Sequence, residues 1–135
     1  MKKSLLSLFL LAIATMLNAQ NHIQTQVPIR PAGQTDVIGL TVPKMKVVRI
    51  GIVGLGMRGP GAVYRLSNIE GTEIVALCDV EPNRVEAAQE ILKKNNRKPA
   101  ASYSGSAEAY KKMCERNDID LVYICTDWVH HTPIA

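Results

Sequence analysis

Val47-Val48-Arg49-Ile50-Gly51-Ile52-Val53-Gly54-Leu55-Gly56-Met57-Arg58-Gly59 decides the fold. A β-branched apolar run leads straight into Gly-x-Gly-x-x-Gly, and Asp79 closes the next apolar run twenty residues after the last of those glycines. A dinucleotide-binding βαβ unit needs these residue types at this spacing. Gly54 permits the tight turn off the strand, Gly56 leaves room for the backbone to approach a pyrophosphate, and Gly59 lets the following helix lie close on the sheet. The anion then meets free N–H groups and about +0.5 of dipole charge at a helix N-terminus. Asp79 falls where a ribose hydroxyl needs an acceptor. A glycine turn with no such role would not bring the strand, the helix and the acid in this order.

From Met45 onward apolar runs alternate with helical patterns, which predicts parallel βαβ units. Strand one covers 47–53, and Pro60 falls in the first helical turn, where a missing N–H costs nothing. Strand two covers 72–79. Pro82 opens a second helix running to about Asn95, with Val85, Ala88, Ile91 and Leu92 at helical spacing. A short strand at 100–103, a third helix at about 105–116 and a fourth strand at 120–125 follow. Right-handed crossovers give the spatial order 3-2-1-4, with a ligand crevice where the order reverses, at the carboxyl ends of strands one and four. Gly54 to Gly59, Asp79 and Thr126 to His131 meet at that crevice. The expected fold class is therefore α/β, a Rossmann-type doubly wound parallel sheet over 47–135. Thr132-Pro133 reads as the cap and first turn of a further helix. A six-stranded dinucleotide domain needs at least two more strands, so the sequence reads as an incomplete domain without its substrate domain.

Residues 1–19 read as a secretory signal peptide: Lys2 and Lys3 form a positive start, Leu5 to Leu17 an apolar run, and Ala19 a small residue before Gln20. That run is shorter than the roughly 20 residues that span a bilayer, and no cysteine follows it for lipidation. The expectation is an exported protein, periplasmic or secreted, with no stable membrane anchor. Residues 20–46 carry Pro28, Pro31, Gly33, Gly39 and Pro43 without sustained periodicity. They form an extended N-terminal arm, either laid on the domain through its apolar residues or serving as a tether. Without Lys2 and Lys3, 14 basic residues face 12 acidic ones and the net charge falls from +4 to +2. That balance gives no warrant for nucleic acid. Cys78 and Cys125 fall on strands flanking the first, about 9.6 Å apart at about 4.8 Å per neighbour. A disulfide needs Cα atoms within roughly 7 Å, so all three cysteines read as free and mostly buried.

Asp79 reads as a bidentate acceptor from the adenosine ribose; the alternative, a helix N-cap, is weaker because Pro82 puts the cap at Glu81. A carboxylate there also repels a 2'-phosphate. A like-charge pair about 4 Å apart costs about 4 kcal/mol at surface-like effective dielectric before screening. Val80, next in sequence, brings no compensating arginine, so the expected cofactor is NAD. Met57 and Arg58 fill the variable loop positions, and Arg58 can add a charge-assisted contact of roughly 1.5 to 3 kcal/mol to the pyrophosphate or stand solvated at the surface. Asp127, Trp128, His130 and His131 cluster after strand four. Adjacent histidines diverge and no helix-spaced third ligand follows, so no metal site is expected. The better reading is a loop wall beside the cofactor, Trp128 supplying a flat face and His131 a hydrogen bond, with ordinary packing of Trp128 under the loop as the alternative.

Val48 to Ala135 resembles the N-terminal half of the Gfo/Idh/MocA superfamily and, within it, glycoside hydrolase family 109, the NAD-dependent α-N-acetylgalactosaminidases. The motifs are Gly54-Leu55-Gly56-Met57-Arg58-Gly59-Pro60-Gly61, Ala76-Leu77-Cys78-Asp79, and Asp120 through Cys125 to Thr126-Asp127-Trp128-Val129-His130-His131. The wider superfamily usually has Thr-Pro and a polar residue where this chain has Thr126-Asp127-Trp128, a departure toward the glycosidase branch. The resemblance implies that Met57, Arg58, Asp79 and the segment Trp128 to His131 contact NAD. It also implies a redox-neutral cycle on an N-acetylgalactosamine-containing glycan or glycoside. The sugar is oxidised at C3, loses its C2 proton and the aglycone, takes up water, and is reduced again. The family's catalytic acid and base lie beyond the matched region, so no catalytic residue carries over. An NAD-dependent sugar dehydrogenase and a nucleotide-binding module without activity of its own are the alternatives, and assembly into an oligomer stays open.

Overall fold

The computed structural model describes residues 32–33 and 38–135. The expected signal peptide and most of the N-terminal arm lie outside these residues; of the arm, Val42 and Met45 are solvent-exposed. Strands β1 (Val48–Val53), β2 (Thr72–Cys78), β3 (Ala101–Tyr103) and β4 (Leu121–Ile124) alternate with helices α1 (Gly59–Ser67), α2 (Pro82–Lys94), α3 (Ala109–Cys114) and α4 (Trp128–Ile134). All neighbouring strands are parallel and stand in the order β3-β2-β1-β4. The order reverses at β1, as the strand–helix alternation requires.

Side-chain alternation along β1 divides the core into two layers. Ile50 and Ile52 belong to a buried cluster with Val63 of α1 and Val85, Ala88 and Leu92 of α2. Val53 faces the other way and packs with Ala76, Cys78 and Met113 of α3. Gly51 shares that second face: a Cβ there would stand 3.1 Å from the Met113 methyl and 3.2 Å from Ile119 Cδ1. The missing side chain lets α3 approach the sheet. At the end of α2, Asn96 takes φ 54°, and Arg97 N–H returns to Leu92 O at 2.9 Å while Asn96 N–H reaches Lys93 O at 3.0 Å. This left-handed stop satisfies two carbonyls the helix would otherwise leave open.

Polar clamps set the register where apolar packing is indifferent to it. Gln89 on α2 holds the edge strand by both ends of its amide, donating to Ala100 O at 2.6 Å and accepting from Ala100 N at 3.1 Å. The register of β1 on β2 slips between Ile50 and Gly51, leaving Val75 as the extra residue of β2, and Arg116 donates to the Val75 carbonyl at 3.2 Å. Arg49 and Asp120 tie β1 to the entry of β4. Asp120 Oδ2 accepts from Arg49 N at 2.8 Å and Nε at 2.9 Å, and Oδ1 accepts from an Arg49 terminal nitrogen at 2.7 Å.

Two expectations need correction. The last helix does not begin at Thr132-Pro133. Asp127 caps it by accepting from His130 N, and Pro133 lies inside it; the carboxylate captures an early N–H and starts the helix five residues sooner. The cysteines are free, but Cys114 is exposed because it ends the short α3. Burial, with smaller contributions from Asp79 and Cys114, pushes the Cys78 thiol up to about 11.

The Arg49 side chain and backbone hold the Asp120 carboxyl at about 2. A carboxyl whose folded-state value lies below its ordinary value of about 4 contributes stability that is complete above pH 4 and is lost as pH falls toward 2. Asp120→Asn is therefore expected to unfold at lower urea concentration than wild type near neutral pH, with the difference closing between about pH 4 and pH 2. A difference in midpoint that did not change across that window would contradict the assignment.

Candidate cofactor site

Three stretches of backbone converge beyond the carboxyl end of β1. Gly54 takes φ 90°, and a Cβ on it would lie 2.8 Å from the Cys125 carbonyl carbon and 2.9 Å from Thr126 N. Gly59, first residue of α1, would place a Cβ 2.4 Å from Gly54 O. Neither position admits a side chain without moving main chain. Gly56 differs: only an Arg84 terminal nitrogen, 3.6 Å away, comes near. Packing within the protein does not require glycine there, and the open space it leaves fits a pyrophosphate. Leu55 is buried under this loop, whereas Met57 and Arg58 stand exposed on it at the N-terminus of α1.

Asp79 is buried, 6% exposed, at the end of β2. Its Oδ2 accepts from Leu55 N at 2.6 Å, and its Oδ1 accepts from Glu81 N at 3.0 Å. The acid therefore braces the glycine loop and also fixes the turn into α2, whose cap position is Glu81 as expected. An ionised carboxylate has about four lone-pair sites, so capacity for a ribose hydroxyl remains. The chain does bring an arginine to this carboxylate: Arg84, in the first turn of α2, lies 3.4 Å from Asp79 Oδ1. Reading only the residue after Asp79 misses it. The separation of five residues, across a turn and into a helix, was the available signal.

Across the crevice, Thr126 Oγ1 is buried and has no hydrogen-bond partner. An unpaired buried hydroxyl costs about 1–3 kcal/mol, so its position at the crevice floor fits a site that closes on a polar ligand. Trp128 is 97% exposed, which removes packing under the loop as its role. Asp127 and His130 form a close pair not foreseen from the sequence, where the available signal was Asp as a favoured N-cap residue. His131 makes no contact with Asp127 beyond the backbone bond from its N to Asp127 O at 3.0 Å. Among the described residues no group of three or more His, Cys, Asp or Glu is arranged to hold a metal ion. A cavity of about 330 Å³ lined by Ser67, Thr72, Glu73 and Arg97 lies at the amino end of β2, away from the glycine loop.

A family model described as "Oxidoreductase family, NAD-binding Rossmann fold" matches residues 48–135. The chain belongs to the Gfo/Idh/MocA oxidoreductase family. Its domain is an NAD-binding domain, and the residues converging on the crevice fit that cofactor. The chain is 60% identical over 130 residues to glycosyl hydrolase family 109 protein 1 of Bacteroides fragilis, covering 96% of this chain and 28% of that protein. It is 63% identical over 116 residues to glycosyl hydrolase family 109 protein 4 of Phocaeicola vulgatus, covering 86% and 22%. It thus spans about a quarter of the length of these relatives. Among solved structures, myo-inositol dehydrogenase from Lactobacillus casei, in complex with NAD(H) and myo-inositol, superposes with a TM-score of 0.55 at 27% identity, over 65% of this chain and 24% of that one.

The glycines separate by experiment. Gly59→Ala is expected to lose about 1–3 kcal/mol of stability from forced backbone movement, measured by urea denaturation without cofactor. Gly56→Ala should denature close to wild type yet lose NAD affinity at least tenfold by calorimetry. Equal destabilisation by both would remove the argument for the cradle.

Asp79→Ala should also destabilise the cofactor-free protein, by about 1–3 kcal/mol, because the Leu55 and Glu81 N–H groups lose their acceptor. A carboxylate serving only the ribose would leave cofactor-free stability unchanged.

Proposed function

We propose that this chain is the NAD-binding part of an exported glycosidase that hydrolyses α-N-acetylgalactosaminides without net redox change. The observation that carries the reading is its 60% identity over 130 residues to a family 109 hydrolase, with the resemblance of Thr126-Asp127-Trp128 to the glycosidase branch in support. When bound, the nicotinamide supplies reversible hydride acceptance from a sugar carbon. Oxidation at C3 acidifies the C2 proton, its loss with the aglycone and the addition of water follow, and reduction restores the sugar.

The residues here hold rather than transform. Gly54 and Gly59 shape the turn, Gly56 admits the pyrophosphate, Asp79 accepts from the adenosine ribose, and Met57, Arg58, Trp128 and His131 line the cofactor. The export proposed from residues 1–19 fits the same reading. Outside the cytoplasm no large pool recycles NADH, so a cycle that restores its cofactor suits the compartment that residues 1–19 imply. The alternative, an NAD-dependent sugar dehydrogenase of the same family, shares the whole cofactor site and differs in outcome.

The full-length protein, recovered from periplasm or medium and beginning at Gln20, is expected to release the aglycone from an α-N-acetylgalactosaminide. Turnover should proceed without steady accumulation of NADH, and in deuterated water the product should carry deuterium at C2. Stoichiometric NADH with a stable keto-sugar would establish the dehydrogenase instead.

A further inference from the structure

Of the arginine–aspartate pairs among the described residues, one is left open. Arg49 closes a fork on Asp120 with bonds of 2.9 and 2.7 Å, and Arg116 closes one on Asp118 with bonds of 2.7 and 2.6 Å. Arg84 makes a single contact of 3.4 Å with Asp79, its side chain half-exposed and that of Asp79 buried. A charge-assisted N–H···O bond is about 2.7–2.9 Å long, so this one is loose. The guanidinium keeps its Nε–H and its second terminal nitrogen for another partner.

The nitrogen that meets Asp79 Oδ1 is also the one 3.6 Å from the Cβ position of Gly56. It stands between the carboxylate proposed to hold the adenosine ribose and the open space over the glycine loop. The base of the side chain is anchored there, because Arg84 N–H donates to Glu81 O at 3.1 Å in the first turn of α2. A ribose that donates to Asp79 brings its 2' position to this guanidinium. In NAD that position carries a hydroxyl, which Asp79 can accept from. In NADP it carries a phosphate, and the demands reverse: Asp79 repels it, whereas the unused Arg84 fork matches its oxygens. Asp79 is the buried partner, so its charge is the less screened of the two. The carboxylate therefore decides the balance for NAD.

We propose that Arg84 is a second determinant of cofactor choice, a 2'-phosphate anchor that Asp79 holds in check, so that removing the Asp79 charge turns the site toward NADP without any new residue. This rests on the proposed placing of the adenosine ribose at Asp79 and is independent of the glycosidase reading. An arginine that only braced Asp79, or only met the pyrophosphate, would affect NAD and NADP alike.

The test uses the full-length protein, freed of cofactor, and calorimetric titration of NAD and NADP. AMP and adenosine 2',5'-bisphosphate form a second pair that differs in the 2'-phosphate and lacks the pyrophosphate bridge. Wild type should favour NAD, and Arg84→Ala should lower the NADP-to-NAD affinity ratio a further five- to tenfold or so. Asp79→Asn, which keeps one acceptor oxygen for the loop, should raise that ratio at least about fiftyfold, and adding Arg84→Ala should remove about tenfold of the gain. Arg84→Lys should fall between arginine and alanine, since an ammonium lacks the fork. The bisphosphate should follow NADP, and AMP should follow NAD. Each ratio compares two ligands on one variant, so a shared loss of stability cancels, and Arg84→Ala alone decides if Asp79→Asn does not fold. Equal losses of NAD and NADP in Arg84→Ala would overturn the proposal, as would a full gain retained in the double variant. A ratio unchanged in Asp79→Asn would overturn it too, by removing the ribose from Asp79.

Discussion

Gly54 stands where three main-chain segments meet, and no atom beyond hydrogen fits on its Cα. Its Cβ would enter the Cys125 peptide, while its own carbonyl presses on Gly59. This crowding fixes the direction in which α1 leaves the sheet and the distance between the ends of β1 and β4. It also forms the crevice. Gly54 takes φ 90°, a conformation that L side chains rarely adopt, and the loop turns sharply off β1 there. The helix N-terminus, the glycine cradle and the Thr126 hydroxyl converge because backbone is packed on backbone at this point.

Asp79 makes that geometry durable. A buried carboxylate would be costly alone, but here it receives two backbone N–H groups, one from the glycine loop and one from the turn into α2, with Arg84 alongside. The residue proposed to serve the cofactor also braces the glycine loop. Coupling of this kind holds the site in its binding geometry and lowers the ordering cost of association. Arg84 belongs to the same economy, since it meets a carboxylate that burial leaves short of solvent.

Elsewhere, apolar burial supplies cohesion and charged or amide side chains supply register. The two layers over Ile50–Ile52 and Val53–Cys78 supply the buried apolar area. The Arg49 fork on Asp120, the Gln89 amide on Ala100 and the Arg116 contact to the bulged Val75 add register, since each requires particular atoms to face one another. Parallel strands gain their partners through long connections, and these side-chain bonds fix which residues come opposite.

The order β3-β2-β1-β4 and the glycine loop were legible in the sequence because both depend on local signals: side-chain period, breakers, and glycine at positions that backbone alone dictates. The same signals placed Glu81 as a cap, Pro60 in the first turn of α1, and α2 to within a residue. What only the folded chain decided was the pairing of side chains across those elements. Asp79 with the Leu55 N–H spans 24 residues, and Arg49 with Asp120 spans 71. Arg84 reaches Asp79 only because a turn and a helical start fold it back. The start of α4 turned on a competition the sequence left open, between a proline that suggests a first turn and an aspartate that can capture an N–H three residues on. The carboxylate prevails because its hydrogen bond is charge-assisted, and Pro133 is carried inside the short helix without an N–H to give. Periodicity is written in neighbouring residues, whereas which polar groups meet depends on distances that exist only after the sheet has formed.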